Sequence, residues 1–196
     1  MRRAFLATLC AGLGLLALAG SALAQGPASA VASGEAAAWA ALREGNIVIF
    51  RHANAPGGGD PSGLRLGDCS TQRNLDASGR EQARRIGERL RQERVAVGAV
   101  WASQWCRTRE TAELLQAGAV RDALSFNSFF ADRSREAAQT AAAREALLAW
   151  RGPGALVVVT HQVNITALTG VFPASGEGVV LRRSGAQLET IGRLLP

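Results

Sequence analysis

"NIVIFRHANAPGGG", residues 46–59, decides the reading of this chain. Its apolar run, Ile47 to Phe50, stops abruptly at Arg51-His52 and opens into a glycine-rich loop. A short run of β-branched and aromatic residues is the pattern of a strand buried on both faces. The chain has two histidines, and the second, His161, closes an equivalent run in "GALVVVTHQVN", residues 154–164. Each histidine is therefore predicted at the carboxyl end of a buried strand, where open α/β sheets collect their ligands.

Outward from these runs, strand and helix patterns alternate. A short helix is predicted over "EAAAWAALREG" (35–45), with Gly45 as its stop. The segment from His52 to Asn74 is too long and too rich in glycine and proline for a plain connection, and such loops are usually functional. Asp76 is placed to cap a helix over residues 77–95, in which Ile86 and Leu90 share a face. "VGAVWAS" (97–103) reads as a strand, "CRTRETAELLQAG" (106–118) as a helix, "LSFNSFF" (124–130) as a weaker strand, and "SREAAQTAAAREALLAW" (134–150) as a helix by alanine content. "NITALTG" (164–170) reads as a short helix and the last two strands as "GEGVVLRR" (176–183) and "QLETIGRLL" (187–195). The alternation implies an α/β fold with a mostly parallel central sheet flanked by helices on both faces. His52, Ser103 and His161 then converge on one rim of that sheet.

The first residues, "MRRAFLATLCAGLGLLALAGSALAQ", carry two arginines, an apolar run and Ala22-Leu23-Ala24. This is the pattern of a secretory signal peptide over 1–24 cleaved after Ala24, and it predicts a periplasmic or secreted protein. The apolar run is shorter than the roughly 20 residues of a comfortable membrane span. A flexible spacer of Ala, Ser, Gly and Pro is predicted over 25–33, and one domain over 34–196. Cleavage removes Arg2 and Arg3 and so lowers the formal net charge from +6 to +4. The remaining arginines are scattered among acids, which argues against nucleic-acid binding, and nothing after the signal suggests a membrane contact. Two cysteines then remain, Cys69 and Cys106, which an oxidising compartment would allow to pair or to remain as two buried thiols. No short ligand spacing such as C-x-x-C or H-x-x-x-H points to a metal site, so no metal or other cofactor is expected.

Arg51 precedes the first histidine, and "SQWCRTRETA" (103–112) brings Arg107 to the same rim. Guanidinium groups match phosphate or carboxylate bidentately, so two arginines beside two imidazoles make an oxyanion pocket suited to metal-free phosphoryl transfer. "RHA" after the first strand, "TQRNLDASGREQA" (71–83), "SQWCRTRETA" and "VVTHQVNITALTG" (158–170) together resemble the histidine phosphatase superfamily, the group of phosphoglycerate mutases, acid phosphatases and phytases. The similarity runs from about Asn46 to Leu181 and implies the phosphoglycerate mutase-like form of the fold. It implies that His52 is the nucleophile that becomes phosphorylated, that Arg51, Arg107 and His161 hold the phosphoryl oxygens, and that Arg73 lines the pocket unless a surface ion pair occupies it. It also implies a small phosphomonoester as substrate.

This chain departs from the family pattern in three places. Ala53 stands where glycine usually follows Arg-His. Gln162 follows the second histidine, where phytase-like members carry the aspartate that protonates the leaving alcohol. In the mutase-like branch the acid lies further back, and "NSFFADRSRE" (127–136) offers Asp132 first, with Glu136 and Asp60 behind it; Asp132 is equally well placed to cap the following helix. The segments that hold phosphoglycerate in mutases are not recognisable, which points to hydrolysis. Gln162 keeps a non-catalytic phosphate-ligand binder on the same fold as the alternative. Trp101, Trp105 and Phe129 are expected walls of the leaving-group pocket, or core.

Overall fold

The computed structural model describes residues 27–195, so the signal sequence read over 1–24 lies outside the described residues. Six strands form one sheet in the order β3-β2-β4-β1-β5-β6. They are β1 (Ile47–Arg51), β2 (Val97–Ala102), β3 (Val120–Asp122), β4 (Ala155–Thr160), β5 (Gly178–Ser184) and β6 (Gln187–Leu194). The first four run parallel, and β5 and β6 close one side as an antiparallel hairpin whose register shifts at Val180/Leu181. The mostly parallel α/β class expected from the sequence is the one observed.

The period of two in β1 sorts its side chains between two cores. Val48 and Phe50 face one layer with Leu42, Ile86, Leu90 and Leu115, while Ile47 and Ile49 face the other with Phe126, Leu147, Ile165 and Leu168. β4 is buried along its whole length, which is why its sequence is continuously apolar. The first layer belongs to α1 (Pro27–Arg43), α2 (Ala77–Gln92) and α3 (Cys106–Leu114), and the second to α4 (Glu136–Ala149) and α5 (Gln162–Thr169). Among the described residues, no helix is long and apolar enough to cross a membrane.

Three local readings are corrected. α1 begins at Pro27, inside the segment read as a spacer: proline suits the first helical position and the alanines after it have high helix propensity. "LSFNSFF" supplies a 3-10 turn, Leu124–Phe126, and the strand beside β2 is the preceding Val120–Asp122. α3 stops at Leu114 rather than running to Gly118, with Gln116 at φ 50° breaking the helical path.

One tight approach fixes the segment that follows the first histidine. Asp76 caps α2 by accepting from the Gly79 amide at 2.6 Å, and its other oxygen accepts from the Asn54 side chain at 2.9 Å. Gln82, one turn on, accepts the Asn54 amide at 3.0 Å. The helix end lies so close that a Cβ on Gly79 would stand 2.0 Å from the Asn54 carbonyl oxygen. Gly79→Ala is therefore expected to destabilise the fold by about 1–3 kcal/mol, the usual cost of forcing an extra carbon into a packed site. Urea denaturation would measure it, and an unchanged midpoint would show that the 53–55 segment yields freely.

Candidate active site

The sheet order places the carboxyl ends of β2, β4 and β1 side by side, and each of the three delivers one polar residue to the rim. Ser103 follows β2, His161 follows β4 and His52 follows β1. Backbone bonds extend the ladder just past the strand ends, from the His52 amide to the Thr160 carbonyl (2.9 Å) and from the Ser103 amide to the Val159 carbonyl (3.1 Å). The two imidazoles stand edge to face, 5.6 Å between centroids, and both are buried.

The hydrogen-bond partners assign the protons. His52 Nδ1 lies 2.8 Å from the Ala53 carbonyl oxygen, which can only accept, so Nδ1 carries the hydrogen and the Nε2 lone pair is left for nucleophilic attack. His161 Nδ1 accepts from Arg107 Nη2 at 3.3 Å, and its Nε2 donates to Ser103 Oγ at 2.7 Å. Burial, with the neighbouring Arg107 charge behind it, pushes the His52 pKa down to about 3. The same two causes, in the same order, hold His161 well below its ordinary value. At neutral pH both rings are therefore neutral. A cationic imidazole here would stand against the Arg107 charge, while the nearby Asp60 carboxylate is bonded to Arg107 rather than to the ring.

Arg107 sits in the first turn of α3 and is almost fully buried. Its helix is anchored to the segment after His52: Thr111 Oγ1 accepts the Ala53 amide (3.1 Å) and donates to the Arg107 carbonyl (2.6 Å). Cys106, immediately before Arg107, is bonded to Cys69, with Cα atoms 5.7 Å apart. The disulfide thus ties the far end of the glycine-rich loop to the helix that carries the arginine. Arg73 spends donors on the loop carbonyls of Gly59 (2.9 Å) and Ala55, so it shapes the loop as well as lining the pocket, and makes no surface ion pair. Arg51 donates through Nη1 to the Pro173 carbonyl at 3.0 Å. The Nε atoms of Arg51 and Arg107 are buried without a partner among the described residues.

These groups surround a cavity of about 190 Å³ lined by Arg51, His52, Arg73, Arg107 and His161, with Gly57 to Gly59, Phe130, Gln162 and Val163 completing the wall. Its size and cationic lining suit a phosphoryl group with a small part of its ester. A larger cleft of about 680 Å³ lies beside the disulfide, but it holds neither histidine and both of its arginines are already paired, Arg80 with Glu110 and Arg109 with Asp122. The smaller cavity, which holds both histidines, is the candidate site. Among the described residues no three His, Cys, Asp or Glu side chains come together as metal ligands.

Of the three proton donors read from the sequence, Asp132 and Glu136 do not meet this cavity. Asp132 is exposed and accepts the Ser134 amide (3.2 Å) and hydroxyl (2.5 Å), capping the 3-10 turn Arg133–Arg135. Glu136 pairs with Arg133 at 2.7 Å. The capping role won because a carboxylate directly before a helical turn satisfies a first-turn amide that has no partner within the turn. The carboxylate at the site is Asp60, whose two oxygens face Arg107 Nη1 (2.5 Å) and Nη2 (3.1 Å), one of them also accepting Trp105 Nε1 at 3.0 Å. Phe129 and Trp101 belong to the core, and the aromatic wall is the exposed Phe130 instead. Adjacent positions alternate faces, a distinction that two consecutive phenylalanines hide from a sequence reading. Trp105 packs edge-on against His161, 5.2 Å between centroids.

A mostly parallel sheet with a buried histidine pair and three arginines at one rim defines an oxyanion-handling α/β protein. Residues 47–125, the stretch that holds His52, Arg73 and Arg107, match the family model of the histidine phosphatase superfamily (branch 1). His161 lies beyond the match and is brought to the site by the sheet. No curated protein matches the chain. Among solved structures, the putative phosphohistidine phosphatase SixA from Nakamurella multipartitia superposes with a TM-score of 0.57 at 22% identity, covering 78% of this chain and 96% of that one. The protein histidine phosphatase SixA complexed with tungstate gives 0.51 at 14%, covering 77% and 97%. Phosphoserine phosphatase from Entamoeba histolytica in complex with 3-phosphoglyceric acid gives 0.55 at 11%, covering 76% and 95%. At these identities the likeness establishes the fold, the phosphoglycerate mutase-like form that the motifs imply.

Two expectations follow for stability. Because both histidine pKa values are lowered on folding, the unfolded chain binds protons that the native site refuses, in a window from the ordinary 6.5 down to about 3 for His52. Stability should then fall as pH drops through that window, by up to about 1.4 kcal/mol per pH unit for each histidine. Urea midpoints at pH 7 and pH 5 test this: the decline should be shallower in His52→Gln, and no decline would refute the buried neutral pair. Reducing the Cys69–Cys106 bond, which spans 37 residues of sequence, should cost about 3–4 kcal/mol by the loop-entropy model, read as a lower melting temperature in dithiothreitol.

Proposed function

We propose that the protein is a secreted, metal-independent phosphomonoesterase that works through a phosphohistidine on His52. The observation that carries this is the His52 tautomer: Nδ1–H is tied to a backbone carbonyl and Nε2 is left free within a pocket of three arginines. A low pKa keeps that nitrogen unprotonated across the neutral and mildly acidic range. The phosphoryl group of a small ester enters with its oxygens on Arg51, Arg107 and Arg73. His52 Nε2 attacks phosphorus as the bond to the leaving oxygen breaks. The arginines neutralise the spread charge of that transition state, the largest contribution a site without metal has to offer. The entering dianion also gives His161 a counter-ion of its own, which favours its protonated, donating form. Water then attacks the phosphohistidine and releases phosphate.

Export is supported by the signal-like first residues and by a disulfide, a bond that persists in oxidising compartments. Small phosphorylated molecules are the favoured partners. The exposed arginines of α2 pair with acids, Arg84 with Glu81 and Arg89 with Glu35 and Glu93, which fits neither a nucleic-acid nor a membrane surface. Gln162 in the pocket wall favours one second reading, a phosphate-ligand binder without turnover.

Phosphate release from an aryl phosphate, with and without EDTA and beside His52→Ala, decides between them. EDTA-resistant turnover is expected, falling about a thousandfold or more in the variant, equivalent to about 4 kcal/mol of barrier. Turnover that survives in His52→Ala refutes the phosphohistidine route, and loss in EDTA refutes metal independence. Tight phosphate binding without turnover of any ester establishes the binder.

A further inference from the structure

We propose that Asp60 is the proton donor to the leaving group, parked on the Arg107 fork in the empty site and freed for catalysis when a phosphoryl group takes that fork. This rests on the phosphohistidine reading above and supplies its missing acid. The geometry is specific. Both carboxylate oxygens face both terminal nitrogens of Arg107, the arrangement by which a guanidinium also grips two phosphoryl oxygens. Arg107 simultaneously touches His161, so Asp60 occupies the place of the substrate's anion next to the catalytic imidazoles.

Two anions cannot share one fork. Burial alone would raise the Asp60 carboxyl, but the bond to Arg107, its charge, Trp105 Nε1 and the Arg73 charge together keep it below its ordinary value, and hence ionised. Once a phosphoryl dianion claims Arg107, the carboxylate loses its main counter-ion and faces two negative charges; both changes favour the protonated form. The groups around it are Arg107 and Trp105 at the start of α3, Arg73 before α2, and His161 behind Arg107. Of these, Arg73 is already donating to Ala55 and Gly59. The loop is built to let Asp60 move: Gly57 (φ 96°) and Gly59 (φ 74°) precede it and Gly63 (φ 95°) follows, all in conformations where a side chain would be strained.

Other carboxylates are committed elsewhere. Asp76 caps α2, Asp132 caps its own turn, and buried Glu177 holds Arg193 and the Ala174 amide. Among the described residues Asp60 is the one carboxylate hydrogen-bonded to a side chain that lines the cavity. The proton balance closes. Asp60, protonated from solvent as substrate binds, gives its proton to the leaving oxygen as the P–O bond breaks and the N–P bond forms. The resulting carboxylate takes a proton from the water that attacks phosphohistidine, releasing phosphate and restoring the acid.

The test compares kcat/KM for nitrophenyl phosphate, whose leaving group departs as a stable anion, with that for glycerol phosphate, whose alkoxide needs a proton. In Asp60→Asn the ratio of the two should rise about a hundredfold or more over wild type, the usual worth of a general acid. A ratio is independent of how much of the variant folds. Calorimetry with inorganic phosphate should show tighter binding to Asp60→Asn, because the internal competitor has lost its charge. An unchanged ratio in an active variant overturns the acid role alone, and phosphate binding no tighter than wild type overturns the occupancy of the fork. Wild-type protein inert toward both esters, or turnover surviving in His52→Ala, overturns the phosphohistidine reading and the acid role with it.

Discussion

Burying Arg107 against two imidazoles is the constraint on which the rest of this structure depends. A guanidinium cannot shed its proton, so in a water-poor pocket it must find acceptors or remain a cost of several kcal/mol. The fold meets this demand from three directions. His161 stays neutral and accepts through Nδ1, Asp60 closes the fork, and the first turn of α3 is tied through Thr111 to the backbone beside His52. Burial first, and the same charge with it, keeps the imidazoles unprotonated, so the buried cation bears both on the pocket's affinity for an anion and on the state of His52 and His161.

Much of this was legible in the sequence because buried parallel strands are continuous apolar runs. Ile47–Phe50 and Leu156–Val159 could hardly be anything else, and the residues that ended them had to share a rim once the strands lay side by side. Arg107 was legible for a related reason: it opens the helix after the neighbouring strand. The acid was not. Asp132 has a good cap sequence and Asp60 sits in a loop of glycines, and no periodicity says where a loop of that length folds back. What brings Asp60 to Arg107 is a set of long-range bonds: Arg73 to the loop carbonyls, Trp105 to the carboxylate, and Cys69 to Cys106. Helix starts were blurred for another reason, since alanine-rich sequence extends a helix as readily as it fills a spacer.

The reactive rim is built from parts that cannot relax independently. Ser103 receives the His161 hydrogen and is itself framed by Thr108, which lies 3.1 Å away on α3, while Asn127 bridges Gln104 and Asn164 next to the second histidine. Asp76 and Gln82 hold Asn54 in the same way on the other side. The glycine-rich loop is held at separate points, by Arg73 on the Ala55 and Gly59 carbonyls and by Asp60 on Arg107 and Trp105.

The sheet's two outer strands differ in a way that bears on how the protein behaves in concentrated solution. β3 is only three residues long and offers little open ladder, whereas β6 has eight residues, a register irregularity in its pairing with β5, and the charges of Glu189 and Arg193 along it. Short, bent or charged margins are poor templates for a foreign strand. A chain with this much β-branched sequence in its centre therefore keeps its most adhesive segments, β1 and β4, two strands in from either margin, and resists edge-to-edge aggregation by topology.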